Sequence, residues 1–139
     1  MSTWFFGATS DWSQQIISHL PGTVESFGRQ KNPLKNIQQI FYHPKLVGQT
    51  IKQLEELDLP DTIIYNINVG PTFEIESDMG YDDSFEVFNK WWMDNRDQLF
   101  FKTCISKWLV KQGWTGNICY ITSQISADHN PNWKHLHMY

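Results

Sequence analysis

The residues best placed to do chemistry stand at the start of the chain. Trp4-Phe5-Phe6 is an apolar run, Gly7 interrupts it, and after five intervening residues Ser13 opens a helical pattern. A strand that ends at a glycine and turns into a helix aims several backbone amides at the helix N-terminus, where the dipole favours an anion, and a pyrophosphate suits such a cradle. The same stretch has a plainer use, in which the side chain of Ser10 or Asp11 caps the helix. The dinucleotide fingerprint G-x-G-x-x-G is absent, and Asp11 and Trp12 crowd the turn where a phosphate needs bare backbone. The candidate anion-binding residues here are Gly7, Thr9, Ser10, Asp11, Trp12 and Ser13.

Three further groups carry chemistry. Arg29 falls just past the second apolar run, where a guanidinium grips a 2′-phosphate, and no acidic residue ends that run, which weighs against NAD and for NADP. A surface arginine without a ligand is the competing reading. Asn95 interrupts a stripe of Phe85, Phe88, Trp92 and Leu99 at three- and four-residue steps. A buried amide must find partners or cost about 1–3 kcal/mol, so it asks for a structural or catalytic reason. Asp128, His129, His135 and His137 have the donors for zinc, but His135-x-His137 suits a strand and Asn130-Pro131-Asn132 reads as a loop. A solvated polar tail is expected there, and no metal site is assigned. The hydrolase elbow G-x-S-x-G does not occur.

Short apolar runs alternate with longer helical patterns along the chain. Strands are expected at 3–6, 23–27, 37–42, 62–67 and 117–122, with helices at 13–20, 45–57 and about 83–111. Pro21-Gly22 stops the first helix, His43-Pro44 closes the third strand, and Gly113 and Gly116 bracket the exit of the last helix. The fourth run is apolar but for Asn66, as befits a central parallel strand buried on both faces. Strands separated by helices imply an α/β fold, a doubly wound parallel sheet in order 3-2-1-4-5, whose ligands sit outside the carboxyl ends of the strands.

At 139 residues, 40% of them hydrophobic, the chain fits one domain, residues 1–139. A formal net charge of −4 with eleven scattered Lys and Arg gives no basic stripe, so nucleic acid and anionic membranes are not expected partners. No run reaches the roughly 18 apolar residues of a membrane span and the N-terminus lacks a signal-peptide pattern, so a cytoplasmic location is expected. Cys104 and Cys119 read as reduced core thiols in a buried helix and a buried strand. Aromatics make up 15% of the chain, seven of them Trp, more apolar surface than a small monomer hides easily. Trp91, Met93 and Phe101 lie off the Asn95 stripe and make the long helix apolar nearly all round, which calls for a second packing partner.

Taken in order, these motifs resemble the short-chain dehydrogenase/reductase family. Gly7-Ala8-Thr9-Ser10 is similar to the opening of that family's turn G-x-x-x-G-x-G, with Asp11 and Ser13 at the second and third glycines. The spacing from Gly7 to Ser13 is similar to the G-x-x-x-x-x-S of its enoyl-acyl-carrier-protein reductase branch. Asn68-Val69-Gly70 resembles N-N-A-G, with Ile67 at its first Asn. Asn95 and Phe100 resemble N-x-x-x-x-F, and residues 116–123 resemble G-x-I-x-x-I-S-S, which ends on Ser123. Tyr139 stands sixteen residues beyond, at a spacing that suits the catalytic tyrosine.

The resemblance implies a Rossmann-like domain binding NADP, with NAD as the alternative, through the first turn, Arg29, Asn68 and Gly70. It implies Asn95, Ser123 and Tyr139 as catalytic positions. In that family the tyrosine protonates a carbonyl oxygen as hydride arrives from the nicotinamide, the serine orients the substrate, and a lysine four residues after the tyrosine lowers a phenol pKa ordinarily near 10. No lysine follows Tyr139 in this sequence. The expectation is an NAD(P)H-dependent reductase of carbonyl or enoyl substrates by ancestry, C-terminally truncated and impaired or inactive in this short form. The alternative is a non-catalytic nucleotide-binding or scaffold domain, a homodimer or higher oligomer formed through the long helix 83–111.

Overall fold

A computed structural model of the chain describes residues 1–8, 11–29, 39–67 and 79–121. The elements are β1 (Ser2–Phe6), α1 (Asp11–His19), β2 (Thr23–Gly28), β3 (Gln39–Phe41), α2 (Val47–Glu55), β4 (Thr62–Tyr65), α3 (Tyr81–Lys111) and β5 (Asn117–Tyr120). The five strands form one parallel sheet in the order β3-β2-β1-β4-β5, as the alternation of apolar runs and helices implies. The register places Phe6 beside Phe27 on one flank and Tyr65 on the other, and Tyr65 beside Tyr120, so the carboxyl ends of these strands are level.

The chain divides into two compact units, residues 1–67 with 100–121 and residues 68–99 with 122–139. The first contains the whole sheet. Alternation along β1 sends Trp4 and Phe6 to one side and Phe5 to the other. The Phe5 side packs on Ile64 and on Ile16, Ile17 and Leu20 at α1. The Trp4 side is larger and aromatic: Phe27, Tyr42, Ile63 and Tyr65 meet Leu54 of α2 and Phe101, Ile105, Trp108 and Leu109 of α3. Each such side chain withdrawn from water contributes about 1.5–3 kcal/mol.

The exit of α3 explains why β5 can return to the sheet. Gly113 takes φ +70, its amide donates to the Val110 carbonyl, and the Trp114 amide reaches back to the Leu109 carbonyl. This pair of bonds ends a helix in the left-handed conformation that glycine adopts without strain. Trp114 then packs against the cluster containing Leu109 and donates its indole N–H to the Pro60 carbonyl at 2.6 Å.

In the second unit, the described part is residues 79–99, the first half of α3 and its entry. Asp82 and Asp83 lie in the helix's first turn, where the dipole favours negative charge. The buried positions are Trp91, Asn95 and Gln98, while Phe85 is 65% exposed. The expected stripe through Phe85, Phe88, Trp92 and Leu99 is therefore corrected at Phe85, while Phe88, Trp92 and Leu99 are half-buried. Two rows of three- and four-residue steps cross at Asn95, and the row through Trp91 and Gln98 is the buried one. Phe101, placed off the stripe by its spacing, is fully buried in the first unit.

A second correction concerns the thiols. Cys104 is half-buried and Cys119 is exposed, both free. β5 is the last strand in the sheet order, so its residues are covered less than those of β1 or β4. No helix among the described residues is long and apolar enough to cross a membrane.

Candidate functional site

In the order 3-2-1-4-5 the winding reverses between β1 and β4, and a crevice at the carboxyl ends of those strands is where such sheets take ligands. β1 ends at Phe6, and Gly7 follows with φ +91. A Cβ on Gly7 would run into the carbonyl oxygen of Asn66, just past β4. Glycine is thus required here by the approach of the β4 backbone and by the positive φ together.

Three residues brace this turn. The Asn66 side-chain amide donates to the Ser13 hydroxyl at 2.6 Å, and that hydroxyl donates to the Gly7 carbonyl at 2.7 Å. The Asn66 backbone amide donates to the Phe6 carbonyl at 2.9 Å. Ser13 is fully buried, so its hydroxyl is a structural tie between β1, α1 and β4. The amides of Gly7 and Ala8 both donate to the Phe27 carbonyl, at 2.8 and 3.0 Å. They are committed to joining β1 to β2.

Of the residues expected at this site, the structure brings Gly7 and Ser13 together. Asp11 is the first residue of α1, and Trp12, next to it, is 59% exposed. Arg29 is exposed directly after β2 and acts electrostatically on the Tyr42 hydroxyl, just past β3. Asn95 is 2% exposed in the second unit, and its amide donates to the Trp91 carbonyl at 3.0 Å, one turn back. Thr9, Ser10, Asn68, Gly70, Ser123 and Tyr139 lie outside the described residues, as do Asp128, His129, His135 and His137. Among the described residues no group of three or more His, Cys, Asp or Glu is arranged to hold a metal.

Asn66 was not among the expected site residues; its signal was its place as the amide within the apolar run at 62–67, just past β4. A set of phenols was also missed. Tyr42 and Tyr65 are buried, and burial pushes both hydroxyls well above the usual phenol range, Arg29 working against this at Tyr42 and neighbouring phenols adding to it at Tyr65. Tyr120, the last residue of β5, stacks on Tyr65 at 5.5 Å and carries the Lys102 ammonium 5.4 Å from its ring centre. Burial holds the Lys102 ammonium below the usual lysine value.

No family model matches the chain, and no curated protein matches it. Among solved structures, it is similar to that of a short chain dehydrogenase family protein from Francisella tularensis subsp. tularensis. The TM-score is 0.63 and the identity 11%, over 99% of this chain and 57% of that one. The chain thus spans a little over half the length of that protein. At this identity the likeness is one of fold: a Rossmann-like α/β sheet of the kind found in short-chain dehydrogenases.

Proposed function

We propose that this chain binds a nicotinamide dinucleotide as the nucleotide-binding part of a short-chain dehydrogenase/reductase-like oxidoreductase, with NADP(H) preferred over NAD(H). The observation that carries the reading is the braced junction of β1 and α1 at the winding reversal, where Asn66, Ser13 and Gly7 are tied into one turn. That tie holds the first turn of α1 toward the crevice, and the pyrophosphate falls to the backbone there, at Asp11, Trp12 and Ser13, with Thr9, Ser10, Asn68 and Gly70 assigned by resemblance. Arg29 supports the choice of NADP, because a cation directly after β2 matches a 2′-phosphate.

Bound there, a reduced nicotinamide supplies hydride to a carbonyl or enoyl carbon. Ser123 and Tyr139 are assigned to orienting and protonating that substrate, and Asn95 to holding water near it.

The second reading, a non-catalytic scaffold that self-associates through α3, is favoured by one observation. Tyr81, Phe85, Met93, Phe100 and Val110 of that helix are exposed, between 45% and 96%, and large apolar side chains left in water along one helix mark an interaction surface. Titration of NADPH followed by tryptophan emission separates the readings. Saturable quenching supports the nucleotide site, and a flat response to millimolar ligand leaves the scaffold. NADPH oxidation with ketones or enoyl thioesters that is lost in Tyr139→Phe establishes the reductase.

A further inference from the structure

Two hydroxyls in the aromatic core have no acceptor among the described residues. Tyr42 and Tyr65 are 2% and 1% exposed, and neither phenol oxygen has a hydrogen-bond partner among the described residues. Buried polar groups in native proteins are paired with protein or ordered water in the large majority of cases. A third such group in this cluster, the Trp108 indole N–H, belongs to a ring stacked on Trp4, while the two hydroxyls are grouped around Phe6 and ask for a common explanation. Their rings share a neighbour: Tyr65 stacks on Phe6 at 5.3 Å, and Tyr42 meets the same ring edge-on at 5.5 Å. Phe101 flanks Tyr42 at 5.0 Å and Tyr120 flanks Tyr65 at 5.5 Å.

Their place in the sheet is equally specific. Phe6 ends β1, Tyr65 ends β4, and Tyr42 follows β3, its backbone amide donating to the Gly28 carbonyl at 3.0 Å. All three stand at the carboxyl edge, the edge that carries the Gly7 turn. The groups that act electrostatically on the two hydroxyls are Arg29 on Tyr42, and Tyr120 and Tyr42 on Tyr65. These are a cation and phenols. No carboxylate is among them within the described residues, and Tyr42 is one of the groups acting on Tyr65.

We infer that Tyr42 and Tyr65 share an oxygen acceptor that the described residues do not supply, seated against Phe6 beneath the carboxyl edge of the sheet. Two sources have this chemistry: a water molecule, which needs at least two polar partners, or an oxygen of the dinucleotide. The second source rests on the nucleotide reading above; the first does not.

Tyr42→Phe, Tyr65→Phe and the double variant keep the rings and remove only the hydroxyls, so the fold is retained. Two readouts are needed: Tm of the ligand-free protein, and NADPH affinity by tryptophan emission. If the acceptor is water, each single variant lowers Tm by several degrees, the double loses less than the sum because one shared guest is lost, and NADPH affinity is unchanged. If the acceptor belongs to the nucleotide, Tm is unchanged or higher and each single variant weakens NADPH about tenfold. Single variants that leave Tm unchanged or raised with NADPH affinity intact overturn the inference. So do Tm losses that add in full, which mean separate partners. A wild type blind to NADPH removes the nucleotide reading and its arm of the test, and the thermal arm then decides alone.

Discussion

The side chain of Asn66 reaches Ser13 across 53 residues of sequence, amide to hydroxyl at 2.6 Å, and the hydroxyl passes the contact on to the Gly7 carbonyl. Three elements, β1, α1 and the end of β4, therefore depend on one serine oxygen that is hidden from water. Asn66→Ala removes the amide's donation to that oxygen, and a cost of about 1–2 kcal/mol is expected. Ser13→Ala strands both the amide and the carbonyl and costs at least as much. The double variant should lose less than the sum, with a coupling of about 0.5–3 kcal/mol, because both act on one network. Urea denaturation of the four proteins measures this, and strict additivity would refute the tie.

Gly7→Ala is a harsher change at the same place. The residue combines φ +91 with a Cβ direction blocked by the Asn66 backbone oxygen, and neither can be relieved by rotating a side chain. Positive φ alone costs an alanine about 1–2 kcal/mol, and the collision adds to it by forcing β4 away from β1. The expected outcome is a drop in stability larger than that of Asn66→Ala in the same denaturation series. An equal or smaller drop would show that the strand ends move apart readily.

How much of this was legible in the sequence depended on how local the signal was. The strand order followed from apolar runs of strand length separated by helices, since right-handed crossovers leave few topologies. The turn at Gly7 was visible because a glycine between an apolar run and a helix start is a local pattern. Asn66 was not chosen, although it interrupts the apolar run at 62–67, because the choice between it and Asn68 turns on where the strand ends and which way the pleat points each side chain. That is fixed by register against β1, a contact between segments about 60 residues apart. The buried face of α3 was misread for a related reason: Trp91 and Trp92 lie in two rows that both pass through Asn95, and only packing distinguishes them. Cys119 was placed in a core because its strand looks apolar, yet a strand at the end of the sheet order is poorly covered.

Arg29 provides a test of cofactor preference. It follows β2 directly, and it already exerts its charge on Tyr42. Arg29→Ala is expected to weaken NADPH about tenfold, the loss of one charge-assisted contact, and to leave NADH unchanged. Paired titrations of both nucleotides check it. Equal losses for the two would mean that the arginine serves the fold or the pyrophosphate and does not read the 2′ position.

The exposed apolar residues of α3 predict self-association. Phe85 and Phe100 are 65% and 61% exposed, and a glutamate at either removes apolar surface without touching the buried row through Trp91 and Asn95. Sedimentation is expected to give a dimer or higher oligomer for the natural sequence and a smaller species for Phe85→Glu/Phe100→Glu, with the circular dichroism of the helix retained. A natural sequence that sediments as a monomer at high concentration would leave this face without a role in assembly.

Alkaline pH tests the aromatic core. Burial holds the Tyr42 and Tyr65 phenols well above their ordinary value of 10.0, and holds the Lys102 ammonium below its ordinary 10.5. A raised acid is protonated in the folded protein while its unfolded counterpart ionises from about pH 10, so the unfolded chain binds fewer protons and stability falls as pH rises. Each such tyrosine contributes a slope of about 1.4 kcal/mol per pH unit above pH 10. Lys102 has the opposite sign: its unfolded form holds a proton that the folded form has released, so stability gains as pH climbs toward 10.5 and the contribution is then level. The two effects meet near pH 10, where the stability of the natural sequence should pass its alkaline maximum and then drop steeply. Tyr65→Phe should halve the slope beyond pH 10, and Lys102→Met should flatten the rise before it. Denaturant midpoints taken from pH 8 to 11.5 read both, and a slope beyond pH 10 that Tyr65→Phe leaves untouched would place that phenol in contact with water.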